Sequence, residues 1–145
     1  MKLKLQLVQD GKIVFEMPLL TKDWPREELK NELETMEDDF QRFSKIFDAL
    51  SHETRLKMMR RLMEEENRTM SFADFVHDLN LNPKIVWENS RKLREGGLLR
   101  KTERGKYSCS EFGQTAFMMI SLALRHLKES MEDIDNLEGG ETSDI

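Results

Sequence analysis

Between residues 82 and 107 the sequence NPKIVWENSRKLREGGLLRKTERGKY carries eight basic and three acidic side chains, a local charge of +5 in a chain of net charge −5. Residues 1–42, 43–81 and 108–145 carry −3, −1 and −6. A solvated charged face would not segregate its signs in this way, whereas a phosphate footprint requires it. The bases form two sets. Lys84 and Arg91 are seven positions apart, with Ile85, Trp87 and Glu88 between them; Arg100, Lys101, Arg104 and Lys106 flank Gly105. Ammonium and guanidinium groups bond to phosphate oxygens or guanine edges, and a carboxylate such as Glu88 can accept from cytosine N4. Ile85 and Trp87 can touch thymine methyls or sugars. These residue types recognise; they do not break bonds. The chain has no G-x-S-x-G, no H-E-x-x-H and no phosphate-cradling glycine loop, so no enzyme is expected.

The elements around these residues follow from periodicity. Phe72, Phe75, Val76 and Leu79 recur at three-and-four spacing, which predicts a short helix with one apolar face. After the turn at Leu79-Asn80-Leu81, Asn82 is an N-cap type and Pro83 suits the first helical position. A second helix from about Pro83 to Glu95 stops at Gly96-Gly97. Leu98, Leu99 and Arg100 start a strand, Glu103-Arg104-Gly105 can turn, and Lys106, Tyr107 and Ser108 return. A helix–turn–helix followed by a small hairpin is a winged helix. In that frame the second helix enters the major groove, with Asn82 and the residues after it nearest the base edges. Val86 and Leu93 should face inward, turning Lys84, Ile85, Trp87, Glu88 and Arg91 outward. Trp87 has two readings, on DNA or packed against the wing or the first helix of the motif. Ser90 either bonds back to the Val86 carbonyl or leaves the helix loosely packed.

Three segments resemble one family. FDALSHETRLKMM at 47–59 is similar to the "ALSDPTRLRIL" of ArsR-type winged-helix regulators, RKLREGGLL at 91–99 to their "RKLREAGLV", and SCSEFG at 108–113 to "YSLTEKG". Each segment alone is a weak signal; together they are fairly specific and cover roughly residues 43 to 127. The resemblance implies a homodimeric transcription regulator that binds double-stranded DNA sequence-specifically. The departures are Ile85, Trp87 and Glu88, where relatives carry small hydroxyl residues and an arginine, and Ser90 at an inward, apolar position. A carboxylate directed at DNA repels phosphate, so non-specific affinity should be modest. The family's metal-sensing cysteine pair is absent; Phe75, Val76 and His77 stand there. His126 and Glu129 share a face of the last helix, without an Asp and His pair near its start. Zinc sites need three or four converging ligands, and His52, His77 and His126 fall in separate elements. No metal and no other cofactor is expected, and His77 and His126 read as surface residues.

The flanks supply further elements. Leu3, Leu5 and Leu7 alternate with polar residues, as do Ile13, Phe15 and Met17, around Asp10-Gly11. This predicts an N-terminal β-hairpin extension at residues 1–20, outside the reach of the resemblance. A three-residue loop, Gln9-Asp10-Gly11, pairs Leu7 with Ile13, Leu5 with Phe15 and Leu3 with Met17, keeping one face apolar. From Pro25 to Leu50 a single long helix is expected, with Leu29, Leu33, Met36, Phe40, Phe43, Phe47 and Leu50 at alternating four-and-three spacing. Ser51 should cap the next helix, with Leu56, Met59, Leu62 and Met63 inward and Arg55, Lys57, Arg60 and Arg61 outward. Ser110 should cap a last helix whose Phe117, Ile120, Leu124, Leu127, Met131 and Ile134 form a second heptad seam. Two such seams suit a dimer made from first and last helices, the interface drawn from Leu29, Leu33, Met36, Phe40, Phe117, Ile120, Leu124, Leu127 and Met131. The alternative is helices packed on their own core.

The fold expected is mainly α with small β: the hairpin at 1–20, a winged helix-turn-helix with flanking dimerisation helices at 25–135, and a disordered acidic tail at 136–145. The lone Cys109 rules out an internal disulfide and reads as a half-buried wing residue. No apolar run is long enough to span a bilayer and no secretory pattern opens the chain, so a cytoplasmic protein without membrane partners is expected. Two other readings use the same residues. A winged helix can serve as a protein-interaction or dimerisation module with weakened or lost DNA binding, for which Glu88, Ser90, the acidic total and the hairpin speak. A third reading adds an effector, small molecule or protein, between the heptad helices, where Met118 and Met119 would make an adaptable wall; methionine equally fills core gaps.

Overall fold

Asp10 and Gly11 both occupy the left-handed region, at φ 51° and 79°, and turn β1 (Lys4–Gln9) into β2 (Lys12–Pro18). Two positive-φ residues make a two-residue turn, the form Asp-Gly favours, rather than the expected three-residue loop. Gln9 pairs with Lys12 and Val8 with Ile13. The register then shifts, Val14 is left over as a bulge, and Leu7 meets Phe15 and Leu5 meets Met17. The apolar face therefore survives with different pairings: the turn follows its residues, and the bulge absorbs the odd position. On the other face Glu16 accepts from Lys4 (2.8 Å) and Gln6 (3.1 Å). Trp24 donates its indole N–H to the Pro18 carbonyl (2.8 Å), and a single 3-10 turn at Thr21–Asp23 precedes α1 (Arg26–Asp38).

The computed structural model describes residues 1–141, in two units, Met1–Gln41 and Arg42–Ile145. The one long helix expected over 25–50 is two: Asp39 leaves helical geometry (φ −102°, ψ 6°), and α2 (Phe40–Leu50) starts after it. Glu37, Asp38 and Asp39 put three negative charges at a helix C-terminus with no base in its last turn, where the macrodipole disfavours them. None of residues 1–41 is buried.

The second unit continues with α3 (Glu53–Glu64), β3 (Thr69–Met70), α4 (Phe72–Asp78), α5 (Pro83–Glu95), β4 (Leu99–Lys101), β5 (Tyr107–Cys109), α6 (Glu111–Met118), a π-helical turn (Met119–Ala123) and α7 (Leu124–Glu141). The described residues are thus mainly helical with two small sheets. β3 joins the second as order β3-β5-β4, all antiparallel; at two residues it is too short to leave a periodic signal. Met58, Met59, Leu62, Phe75, Val86 and Leu93 are fully enclosed in one core, with Phe75 tilted against Tyr107 at 6.0 Å between ring centres. Burying these side chains is the main force holding the unit together, at roughly 1.5–3 kcal/mol for each large one.

Two local expectations change here. His52, not Ser51, caps α3, its Nδ1 accepting from the Thr54 amide (3.2 Å), while Ser51 donates to the Asp48 carbonyl. Arg55, expected outside, is 8% exposed. Ser110 caps α6 as expected, its Oγ accepting from the Gly113 amide (2.9 Å) and donating to the Gly97 carbonyl (3.1 Å). Gly113 lies so close to the backbone of Leu98 that a Cβ would overlap its carbonyl oxygen.

The expected seam along the last helix is interrupted by the π turn. One extra residue in a turn rotates all that follows by about 100°. Phe117 and Ile120, assigned to the expected dimer interface, are half-buried and pack against the chain's own core; Leu124 is exposed, and Leu127, Met131 and Ile134 are half-buried. An open groove of about 660 Å³ beside this turn is lined by Met63, Gln114, Thr115, Met118, Met119 and Leu122. α7 continues to Glu141, so residues 136–141 of the expected disordered tail are helical; residues 142–145 lie outside the described residues. Among the described residues no helix is long and apolar enough to cross a membrane.

Candidate nucleic-acid interface

A capping box starts α4: Ser71 Oγ accepts from the Asp74 amide and Asp74 Oδ2 accepts from the Ser71 amide, both at 3.0 Å. The Ser71 backbone amide, then its hydroxyl, hold the Asp74 carboxyl below the usual carboxylate range. α4 ends at Asp78, and Asn80 makes the turn at φ 49°. Asn82 then caps α5 by accepting from the Lys84 amide (2.8 Å), with Pro83 at the first helical position. Asn82 is exposed, and its oxygen is committed to this cap.

The inner face of α5 is Val86, Asn89, Ser90 and Leu93. Val86 and Leu93 sit where periodicity put them. Ser90 does bond back to its own helix, but to the Trp87 carbonyl (3.0 Å) rather than that of Val86. Lys84, Ile85, Trp87, Glu88 and Arg91 all lie on the outer, exposed side. Trp87 is 55% exposed, so it is not buried against the wing or α4, and the Arg91 guanidinium lies over its ring, 5.2 Å from the centre. A cation over indole is attracted by the ring quadrupole, so the two side chains form one flat, positively edged platform.

The hairpin after α5 is built from the same logic. Leu99, Tyr107 and Cys109 are buried on its inner face, while Arg100, Lys101, Arg104 and Lys106 are exposed. Thr102 ties its tip: its amide donates to the Lys106 carbonyl (2.7 Å), its hydroxyl accepts from the Lys106 amide, and Gly105 sits at φ 74°. Cys109 is more enclosed than expected, at 4% exposure, and burial pushes its thiol up from the ordinary value. It is poorly placed as a nucleophile.

Ion pairing separates this surface from α3 and α7, though not from α2, whose Arg42 and Lys45 also make no ion pair among the described residues. On α3 and α7 every lysine and arginine is engaged: Lys57, Arg60, Arg61, Arg125 and Lys128 each pair with a carboxylate, and Arg55 is bonded internally. Lys84, Arg94, Arg100, Lys101 and Arg104 make no ion pair among the described residues. Arg91 is only at the limit, 4.0 Å from Glu95. Cations without local partners keep their full capacity for an external anion. His77 and His126 are exposed, beside Asp78 and Glu129 respectively.

Three residues of the surface or its support are additions to the sequence reading. Arg94 is exposed beside the expected bases. Arg55 falls three and four positions before Met58 and Met59, on the inward face of α3; Asn89 falls between Val86 and Leu93 on that of α5. That spacing was the available signal, masked by their polar side chains. Compared with known proteins, the chain matches no protein-family model and none of the curated proteins.

Proposed function

We propose that this chain is an ArsR-like, winged-helix transcription regulator that binds double-stranded DNA as a homodimer. α4 and α5 are its helix–turn–helix, α5 lies in the major groove, and the β4–β5 hairpin is the wing. The observation that carries the reading is the set of exposed cations on α5 and its hairpin that have no carboxylate partner among the described residues. Lys84, Glu88 and Arg91 face base edges, Ile85 and the Trp87 platform lie against methyls and sugars, and Arg100, Lys101, Arg104 and Lys106 hold phosphates. Two copies would read a pseudo-palindrome with half-sites roughly one helical turn apart. The reading includes no metal site.

Selection from a pool of short duplexes at two salt concentrations tests it. Enrichment of a two-fold-symmetric sequence is expected, with affinity falling steeply as salt rises, by a slope of about −0.9 per phosphate contact. Lys84→Ala and Arg91→Ala should each weaken the selected duplex by about 1–3 kcal/mol. Unchanged affinity in both would remove α5 from the interface. One observation favours a second reading, a protein-docking module: Ile85 and Trp87 stand exposed together beside Glu88, a composition found in protein interfaces. A partner held that way would show little salt dependence.

A further inference from the structure

The buried polar groups behind α5 point to how its outer face is aimed. Arg55 reaches three oxygens at once: its Nε donates to the Ala49 carbonyl (2.8 Å), Nη2 to the Asp48 carbonyl (2.8 Å) and Nη1 to Asn89 Oδ1 (2.9 Å). Asn89 passes the link on, donating from Nδ2 to the Ile85 carbonyl (2.8 Å). The end of α2, the start of α3 and the first turns of α5 are thus joined through one guanidinium. Among the described residues Arg55 has no carboxylate within ion-pair distance, and it is almost fully enclosed. A buried charge is a poor route to stability, and apolar residues of similar volume often do as well or better. What a rigid planar fork with three directed bonds does supply is an angle.

Two more contacts fall on the same side of α5. Lys92 Nζ lies 3.4 Å from Asp48 Oδ2. A Cβ on Gly96 would meet Ala49 Cβ at 2.7 Å and the Lys45 carbonyl at 3.1 Å. Lys92 and Gly96 meet residues 45–49 of α2 directly, and Asn89, three positions before Lys92, is linked to that segment through Arg55. Lys84, Trp87, Glu88 and Arg91 lie away from that side, and the Ile85 carbonyl that Asn89 holds belongs to the first turn of the outer face.

We infer that Arg55 and Asn89 are positioning residues for recognition: they fix the angle of α5 against the end of α2, and with it which base edges the outer face meets. Neither touches DNA in this arrangement. The inference rests on the regulator reading above and adds that sequence selectivity depends on two buried residues behind the interface.

The test compares full-length variants for affinity to the selected duplex and to a random duplex, with thermal stability and hydrogen exchange measured alongside. Arg55→Lys keeps three donors but on a single nitrogen, which cannot span acceptors now held by Nε, Nη1 and Nη2, and Asn89→Leu removes both of its bonds. Each should lower the selected-to-random ratio about tenfold or more, a difference of about 1.4 kcal/mol, while random-duplex affinity and its salt slope hold. Asn89→Asp keeps the oxygen that faces Arg55 but loses the donor to the Ile85 carbonyl, and should fall between wild type and Asn89→Leu. Leu62→Ala, a core cavity away from the fork, should destabilise the fold and leave the ratio unchanged. An unchanged ratio in Arg55→Lys and Asn89→Leu overturns the inference and leaves the regulator reading standing, as does an equal fall in Leu62→Ala. If the wild-type protein selects no duplex, the regulator reading has failed and exchange decides the fork. Arg55→Lys and Asn89→Leu must then speed exchange at residues 85–95 and in the last turn of α2 together, with Asn89→Asp between wild type and Asn89→Leu; unaltered protection overturns it.

Discussion

The described residues form two β-hairpins, and they are stabilised in opposite ways. β1–β2 closes on Asp10-Gly11, carries a balanced charge, and exposes Leu5, Leu7, Ile13 and Phe15. β4–β5 carries four bases against Glu103, and its inner face is buried through Leu99, Tyr107 and Cys109. The first owes its shape to turn chemistry, a bulge and an exposed ion pair; the second is held by the core and by β3 along its open edge. Isolated two-stranded hairpins are marginal in water, so only the second has within its own unit the burial that makes a hairpin rigid. An anchored hairpin can present cations in fixed positions. An unanchored one is shaped locally and carries its apolar residues in the open.

Equivalent aromatic truncations should break or sharpen this contrast first. Tyr107→Ala in β5 should cost about 3–5 kcal/mol, the usual loss for a large buried aromatic, read as a fall in the urea midpoint at constant m-value. Gly113→Ala, forced into the Leu98 carbonyl beneath the second hairpin, should cost about 1–3 kcal/mol by overpacking. Gly11→Ala meets open space but holds a left-handed backbone. It should strain the first hairpin by about 1–2 kcal/mol, appearing as faster amide exchange in β1 and β2 while the core amides keep their protection. Phe15→Ala, at 47% exposure in β2, should change global stability by less than about 0.5 kcal/mol. A loss as large as that of Tyr107→Ala would show the first hairpin covered in solution and end the contrast.

The smallest effect lies at low pH. Asp74 is stabilised in its charged form by Ser71. The folded state therefore gains from ionisation above the ordinary value of 3.8 and loses that gain as pH falls through the lower, folded value. Asp74→Asn should flatten this part of the acid limb of a stability-against-pH curve.

Much of this architecture was legible along the chain. Asn82-Pro83 and Gly96-Gly97 bracket α5 to the residue, because caps and breakers act on the backbone next to them. Every exposed residue assigned to the interface, from Asn82 to Lys106, is in fact exposed. Where the reading departs, two local signals compete or a partner is distant in sequence. Asp10-Gly11 and the alternation of Leu5, Leu7, Phe15 and Met17 demand incompatible registers, and a bulge at Val14 satisfies both. A strict heptad across residues 25–50 hides the break at Asp39, since periodicity counts apolar positions and ignores the charge at a helix end.

What the sequence by itself determined is therefore the order of elements, their caps and the segregation of positive charge into one helix and one hairpin. These depend on neighbours within a few residues and on composition. Only the tertiary structure decided that Arg55 turns inward to Asn89, 34 positions away, that Trp87 stands outside under Arg91, and that a π turn at Met119–Ala123 divides the last helix's seam. Each is settled by which polar and apolar groups meet when distant segments pack, and a buried guanidinium finds its acceptors only once three helices have come together.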